Sequence, residues 1–121
     1  MAGFWRRVIA SITEHRMLWL ASVEVLIQAE HHPSLREQLA EGIRMGRRGM
    51  ASLLTGVPED QLDDATVRSL GSVQMALMSG VMVQWLVDPE HAPRPEQIAA
   101  GLRVLGDLAP GLGEQRAGVA E

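Results

Sequence analysis

The stretch Ser69-Leu-Gly-Ser-Val-Gln-Met-Ala-Leu-Met-Ser-Gly-Val-Met-Val-Gln-Trp-Leu-Val87 decides the fold of this chain. None of its residues carries a formal charge, and Arg68 and Asp88 bound it on either side. On a helix of about 3.6 residues per turn, its leucines, valines and methionines fall on nearly every side. A helix of this kind must be covered on nearly all sides, by lipid or by protein.

Protein is the better covering for this helix. Its length is near the roughly 20 residues that a membrane span needs. Polar and small residues interrupt it, however, and no other segment in the chain would help it insert. The interrupting residues are Ser69, Gly71, Ser72, Gln74, Ser79, Gly80 and Gln84. We therefore predict a central helix that packs on its own domain with one side and on a second copy with another.

Composition limits the possible functions. The chain has 121 residues, enough for one domain, and no cysteine, which excludes disulfides and thiolate metal sites. Its first residues lack the apolar segment of a signal peptide, so we predict a cytoplasmic protein. The net charge of -4 argues against an intrinsic nucleic-acid surface, and we expect no DNA binding by this chain alone.

The periodicity of apolar residues predicts an all-α fold of about five helices. The predicted helices cover residues 4–12, 11–30, 34–55, 64–87 and 95–109, followed by a disordered tail over 110–121. Two capping-box patterns, Ser11 to Glu14 and Ser34 to Glu37, predict where the second and third helices begin. Asp63 or Asp64 is the predicted N-cap of the central helix. The second helix is predicted to be deeply buried, like the central one.

Few residues point to catalysis or metal binding. The four histidines, at positions 15, 31, 32 and 91, lack the spacing of a metal site. Glu24 lies inside an apolar run, where a structural or ligand-contacting role is favoured over a catalytic one. No nucleophile or glycine-rich loop accompanies it. We predict a protein that is not an enzyme and has no metal or cofactor.

Two clusters could bind a ligand. Arg44 and Arg48 could bind an anion together. The favoured alternative is that they lie on a solvent-exposed helix face, where Arg44 forms an ion pair with Glu41, three residues earlier. A second set is apolar and adaptable, because thioethers accommodate varied shapes. The candidate ligand-binding residues are Trp19, Val23, Ile27, Met50, Met75, Met78 and Met82. Ordinary core packing explains the same residues about as well.

Three stretches carry a family resemblance: residues 19–36, beginning Trp19-Leu-Ala-Ser-Val-Glu24; residues 70–89, with Gly80-Val-Met-Val-Gln-Trp-Leu-Val-Asp88; and Pro95-Glu-Gln-Ile98. Their order and spacing over residues 13–108 resemble the C-terminal ligand-sensing domain of the tetracycline-repressor (TetR) family of transcriptional regulators. The resemblance is greatest to its choline-regulator-like (BetI-type) branch.

The resemblance implies an orthogonal helical bundle whose last two long helices pair with those of a second subunit as a four-helix bundle. It also implies a cavity for a small, mostly apolar effector. In these terms residues 1–12 are the end of a linking helix and 13–109 the effector-binding and dimerisation domain. The family's N-terminal helix-turn-helix is missing from this sequence, so DNA would be a partner only through that domain.

The resemblance and the helix faces together predict a homodimer interface on the last two helices. Its predicted residues are Leu77, Gly80, Val81, Gln84, Ile98, Gly101, Leu102 and Leu105. The function predicted from the sequence is effector sensing and homodimerisation in a TetR-like regulator. The alternative is a helical dimerisation module that binds no ligand.

Overall fold

The computed structural model describes residues 1–120, and the side chains of residues 1–111. Over this range there are five helices and no strand, which confirms the predicted all-α class. The helices are α1 (Ala2–Glu14), α2 (Arg16–Gln28), α3 (Pro33–Thr55), α4 (Asp64–Val87) and α5 (Pro95–Ala120). Short 3₁₀ turns, Ala29–His31 and Glu59–Gln61, lie within the connections on either side of α3.

Helix α1 is at the centre of the hydrophobic core. Trp5 is fully buried, and it forms one cluster with Ile9, with Val81 of α4 and with Ile98 of α5. Ile12, one turn after Ile9, is also fully buried. Arg6 and Arg7 are exposed, as the sequence predicts. Residues 1–12 therefore join α4 to α5 through apolar contacts, and their role as a linking helix stays a prediction.

Helix α2 differs from the prediction. It has no buried residue, and Met17 and Leu18 are 76% and 70% exposed. The predicted deep burial is wrong because α2 contacts the rest of the chain mainly through the side that carries Trp19 and Val23, both of which are half-buried. Glu24 is exposed rather than held in an apolar environment.

The predicted capping boxes are also wrong. Helix α1 continues past Ser11 to Glu14, and α2 begins only at Arg16. The Ser11 hydroxyl oxygen instead accepts a hydrogen bond from the Trp19 indole Nε1 at 3.3 Å. Helix α3 begins at Pro33, one residue before Ser34, and its N-terminus has no side-chain cap. Proline at the first helical position needs no hydrogen-bond partner for its nitrogen, so the helix can begin there.

Helix α4 begins and ends where the sequence predicts. Asp63 caps its N-terminus, since the Asp63 carboxylate accepts a hydrogen bond from the Thr66 amide at 2.7 Å. Hydrogen bonding from Thr66, by its side chain first and its backbone amide second, lowers the pKa of the Asp63 carboxyl below its ordinary value. At the other end, the Arg16 guanidinium of α2 donates to the Leu86 carbonyl at 2.7 Å. Among the described residues, α4 alone is long and apolar enough to cross a membrane.

Gly71 lets α3 and α4 approach each other closely. It ends a π-helical turn, Val67–Gly71, within α4, and it is buried. A Cβ atom at this position would overlap the backbone carbonyl of Arg47 in α3. Gly56, which ends α3, has a φ of 72°, the left-handed conformation that glycine commonly adopts just after a helix.

Helix α5 begins at Pro95, as predicted. The connection before it is held to α4, because the Trp85 indole Nε1 donates to the Pro93 carbonyl at 3.0 Å. The backbone helix continues past residue 109 through Pro110 to Ala120. The predicted tail begins at residue 110; its side chains from residue 112 onward and Glu121 lie outside the described residues, so the disorder stays a prediction.

Candidate effector cavity and dimer face

A cavity of about 200 Å³ lies between α2, α3 and α4. Its lining residues are Trp19, Gly46, Met50, Met75, Met78, Ser79 and Met82. Five of the seven predicted ligand-binding residues are therefore brought together at one place. We call this space the methionine cavity, because four of the seven methionines in the chain line it.

Helix periodicity explains the lining. Met75, Met78 and Met82 follow one another at intervals of three and four residues, so one face of α4 carries all three. On the opposing helix, Gly46 and Met50 are four residues apart. A Cβ atom at Gly46 would lie 3.2 Å from the Met75 Cε, so the absence of a side chain at Gly46 leaves room for Met75. Gly46 was not among the predicted ligand-binding residues, because a glycine has no side chain that would indicate a cavity.

The two remaining predicted ligand residues do not line this cavity. Ile27 is 66% exposed, and Val23 is half-buried beside Trp19 on the same side of α2. Both follow Trp19 at helical intervals, but Trp19 is the only α2 residue that lines the cavity. The structure thus places one turn of α2, rather than three, at the cavity.

The predicted dimer residues divide into two groups of four. Val81 and Ile98 are buried by Trp5 and Ile9, and Leu77 and Leu102 pack partly against the same cluster. Their side chains therefore face α1 within one chain. Gly80, Gln84, Gly101 and Leu105 are exposed. The sequence pattern could not separate these groups, because it gave no sign that α1 would cover one side of both helices.

Each of the two last helices also carries an exposed apolar stripe. On α4 the stripe follows helical spacing and consists of Val73, Ala76, Gly80, Val83 and Val87. On α5 it consists of Gly101, Val104, Leu105 and Leu108. The valines at 73, 83 and 87 are 59%, 50% and 78% exposed, which leaves much of the apolar surface of α4 uncovered in a single chain.

Comparison with protein families agrees with this architecture. Residues 1–108 match the family model described as "Tetracyclin repressor-like, C-terminal domain". The chain belongs to this family. The match begins at residue 1, so α1 is part of the TetR-like domain, whereas the resemblance seen in the sequence began at residue 13. Neither the curated proteins nor the solved structures gave a match. The BetI-type branch stays a prediction.

The arginine cluster of the TetR-like domain is occupied by partners within the chain. Arg44 pairs with Glu41 at 2.7 Å and with Glu37 at 2.9 Å, which confirms the predicted pairing with Glu41. These hydrogen bonds, Glu41 first, raise the pKa of Arg44 above its ordinary value. Arg48 donates to the Glu59 carbonyl at 2.8 Å and so holds the connection to α4. The two guanidiniums therefore have separate structural roles.

Metal-binding residues are not clustered in the described part of the TetR-like domain: no three histidine, aspartate or glutamate side chains come together there. His91 instead contacts the Asp88 carboxylate at 3.0 Å, in the turn after α4. Members of this family are regulatory domains and are not normally catalytic.

Proposed function

We propose that this TetR-like domain senses a small, mostly apolar effector and forms a homodimer. The observation that carries the proposal is the double role of α4. One side of this helix lines the methionine cavity, and another side carries the exposed stripe from Val73 to Val87. A ligand in the cavity would therefore contact the same rigid element that contacts the second subunit.

The case for a homodimer starts from uncovered apolar surface. Only 22% of the most apolar part of α4 is buried within the chain. Burial of such surface is favourable at about 25 cal/mol per Å². Gly80 and Ala76 in the middle of the stripe permit a second helix to approach closely. With the stripe on α5, two copies of the chain supply four helices with apolar faces, which is the composition of a four-helix bundle.

The case for an effector starts from the lining of the cavity. Methionine side chains are flexible and polarisable, so a cavity lined by four of them can accept apolar molecules of different shapes. Effector binding would then favour one arrangement of α4 over another and so change how the two subunits are placed. In a regulator that joins such a domain to a helix-turn-helix domain, the latter would read this change at DNA, in the cytoplasm. Catalysis is no part of the proposal.

The effector cavity can be tested by methyl NMR of the methionines. We expect indole or octanol, at saturating concentration, to shift the methyl signals of Met50, Met75, Met78 and Met82. The exposed methionines 1, 17 and 45 serve as internal controls, and their signals should stay unchanged. At a hundredfold excess over Kd, the ligand should also stabilise the fold by about 2.7 kcal/mol, seen as a rise in Tm.

A matched pair of variants tests whether the ligand enters this cavity. Gly46→Leu places a side chain against Met75 and should abolish the shifts. Gly42→Leu, one turn earlier in α3 at a position where a Cβ atom meets no atom within 4 Å, should keep them. If no small apolar compound moves the cavity methionines, the methionines are core packing. The chain would then be the dimerisation module that binds no ligand.

Homodimer formation can be tested with a second matched pair. Leu105→Glu should weaken the dimer at least about a hundredfold, because an unpaired carboxylate would be buried between subunits. Leu18→Glu, on α2, should leave the dimer intact. Both leucines are exposed in a single chain, at 58% and 70%, so neither substitution should unfold the monomer.

Light scattering after size exclusion gives the mass of each protein, and circular dichroism verifies that it is folded. The folded Leu105→Glu variant is measured at a concentration at which a dimer weakened about a hundredfold would dissociate. If the variant is still a dimer there, α5 is not part of the interface. A monomeric wild-type chain would contradict the homodimer altogether.

A further inference from the structure

A second recess adjoins the methionine cavity. It has a volume of about 220 Å³ and is lined by Phe4, Arg7, Val8, Ser11, Trp19 and Met78. Trp19 and Met78 also line the methionine cavity, so the two spaces lie on either side of these side chains. The recess thus extends the candidate effector site from α4 towards α1.

The volumes favour one ligand that uses both spaces. Pockets that enclose small organic ligands usually measure about 300–1,000 Å³. The methionine cavity, at about 200 Å³, is smaller than this range, and the two spaces together fall within it. Movement of the Trp19 or Met78 side chain would join them, and a methionine side chain changes rotamer readily.

The polar groups of the two spaces are distributed unequally. The methionine cavity has one polar side chain, the Ser79 hydroxyl, together with the Trp19 indole, whereas the recess adds Arg7 and Ser11. Arg7 and Ser11 are four residues apart and therefore lie on the same face of α1. No aspartate or glutamate is among the lining residues of either space. The only formal charge beside the combined site is therefore positive.

Both polar groups of α1 can donate hydrogen bonds to a ligand. Arg7 has no ion-pair or hydrogen-bond partner among the described side chains, whereas its neighbour Arg6 pairs with Glu96 at 3.0 Å. The Ser11 oxygen already accepts a hydrogen bond from Trp19, which directs its hydroxyl hydrogen elsewhere. A guanidinium beside a hydroxyl donor suits a carboxylate, whose oxygens only accept.

We infer that the effector is an amphipathic carboxylate, with its apolar chain in the methionine cavity and its carboxylate at Arg7 and Ser11. This inference rests on the proposed effector function of the same cavity. The chain of the ligand passes between Trp19 and Met78, and the charged end stays close to water in the recess. The apolar part provides most of the contact area, and Arg7 provides selectivity between acids and neutral analogues.

The test compares straight-chain carboxylates, from hexanoate to decanoate, with the alcohols of the same length. Each is titrated into the full chain while the methyl signals of Met78 and Met82 are recorded. We expect the best carboxylate to bind about tenfold more tightly than its alcohol, because it gains a charge-assisted hydrogen bond with Arg7. The gain is no larger because Arg7 is exposed and water weakens the interaction. The Arg7→Gln variant should lose this preference, because its affinity for the carboxylate falls far more than its affinity for the alcohol.

Arg6→Gln is the matched control, because it removes the adjacent positive charge from α1 without changing the recess. It should keep the wild-type preference for the carboxylate. Equal binding of acids and alcohols by the wild-type chain, or a preference that survives Arg7→Gln, would overturn the inference and leave the effector cavity standing. If neither series moves the cavity methionines and indole also fails, the proposed effector function fails with it.

Discussion

Gly71→Ala is expected to lower the free energy of unfolding by about 3 kcal/mol or more. The added Cβ would overlap the Arg47 carbonyl, which belongs to the backbone of α3. A side chain could turn away from such a contact, whereas a helix backbone cannot. Helices α3 and α4 would have to separate, and the contact between Gly46 and Met75 near the cavity would loosen with them.

Urea unfolding followed by circular dichroism measures this loss, with Gly42→Ala as the control. Gly42 lies inside α3, and a Cβ there would meet no atom within 4 Å. Alanine is favoured over glycine within helices by up to about 1 kcal/mol, so Gly42→Ala should stabilise the fold. Two alanine variants of equal stability would contradict the close approach of α3 and α4 at Gly71.

Trp5→Ala is expected to be at least as damaging, at about 3–5 kcal/mol, because it empties the centre of the core. Trp5 is fully buried between residues of α4 and α5. Its loss would remove the main contact through which α1 joins these helices. Helices α4 and α5, and the exposed stripes that they carry, would then no longer be held in a fixed position relative to each other.

Trp5→Phe is the informative comparison. The Trp5 indole Nε1 is buried without a hydrogen-bond partner among the described residues, so phenylalanine removes an unfavourable buried donor along with some contact area. We expect a loss of about 1–2 kcal/mol, well below that of Trp5→Ala. Equal losses in the two variants would mean that the indole N–H has a partner, such as an ordered water. A stable Trp5→Ala variant would show that α1 is dispensable for the core.

The limits of α4 and the methionine face could be predicted from the sequence because both depend on local patterns. Asp63 needs only an amide three residues later to act as a cap, and the spacing of Met75, Met78 and Met82 already places them on one side of a helix. Gly56 likewise needs only its own left-handed conformation to end α3. None of these requires knowledge of which helices pack together.

What the sequence could not provide was the packing partner of each face. Trp5 could not be assigned to the core, because a short helix that also carries Phe4, Val8 and Ile9 is apolar on more than one side. Once Trp5 faces inward, Val81 and Ile98 are buried against it within the chain. Helix α2 has a broad apolar face, so its composition gave no sign that only one turn would contact the cavity.

The backbone contact at Gly71 gives α4 the mechanics of a lever. The helix is held against α3 at that point, Met78 lies about 10 Å further along its axis, and Val87 lies about 24 Å from Gly71 at 1.5 Å per residue. If α4 turned about this contact as a rigid rod, a small displacement of its backbone at Met78 would move the Val87 end more than twice as far, and α1, which packs on Val81, would have to move with it. Arg16, bonded to the Leu86 carbonyl at that end, would draw the start of α2 along with it. Gly71 would thus be the fulcrum, and the geometry of the chain would amplify a small displacement in the cavity.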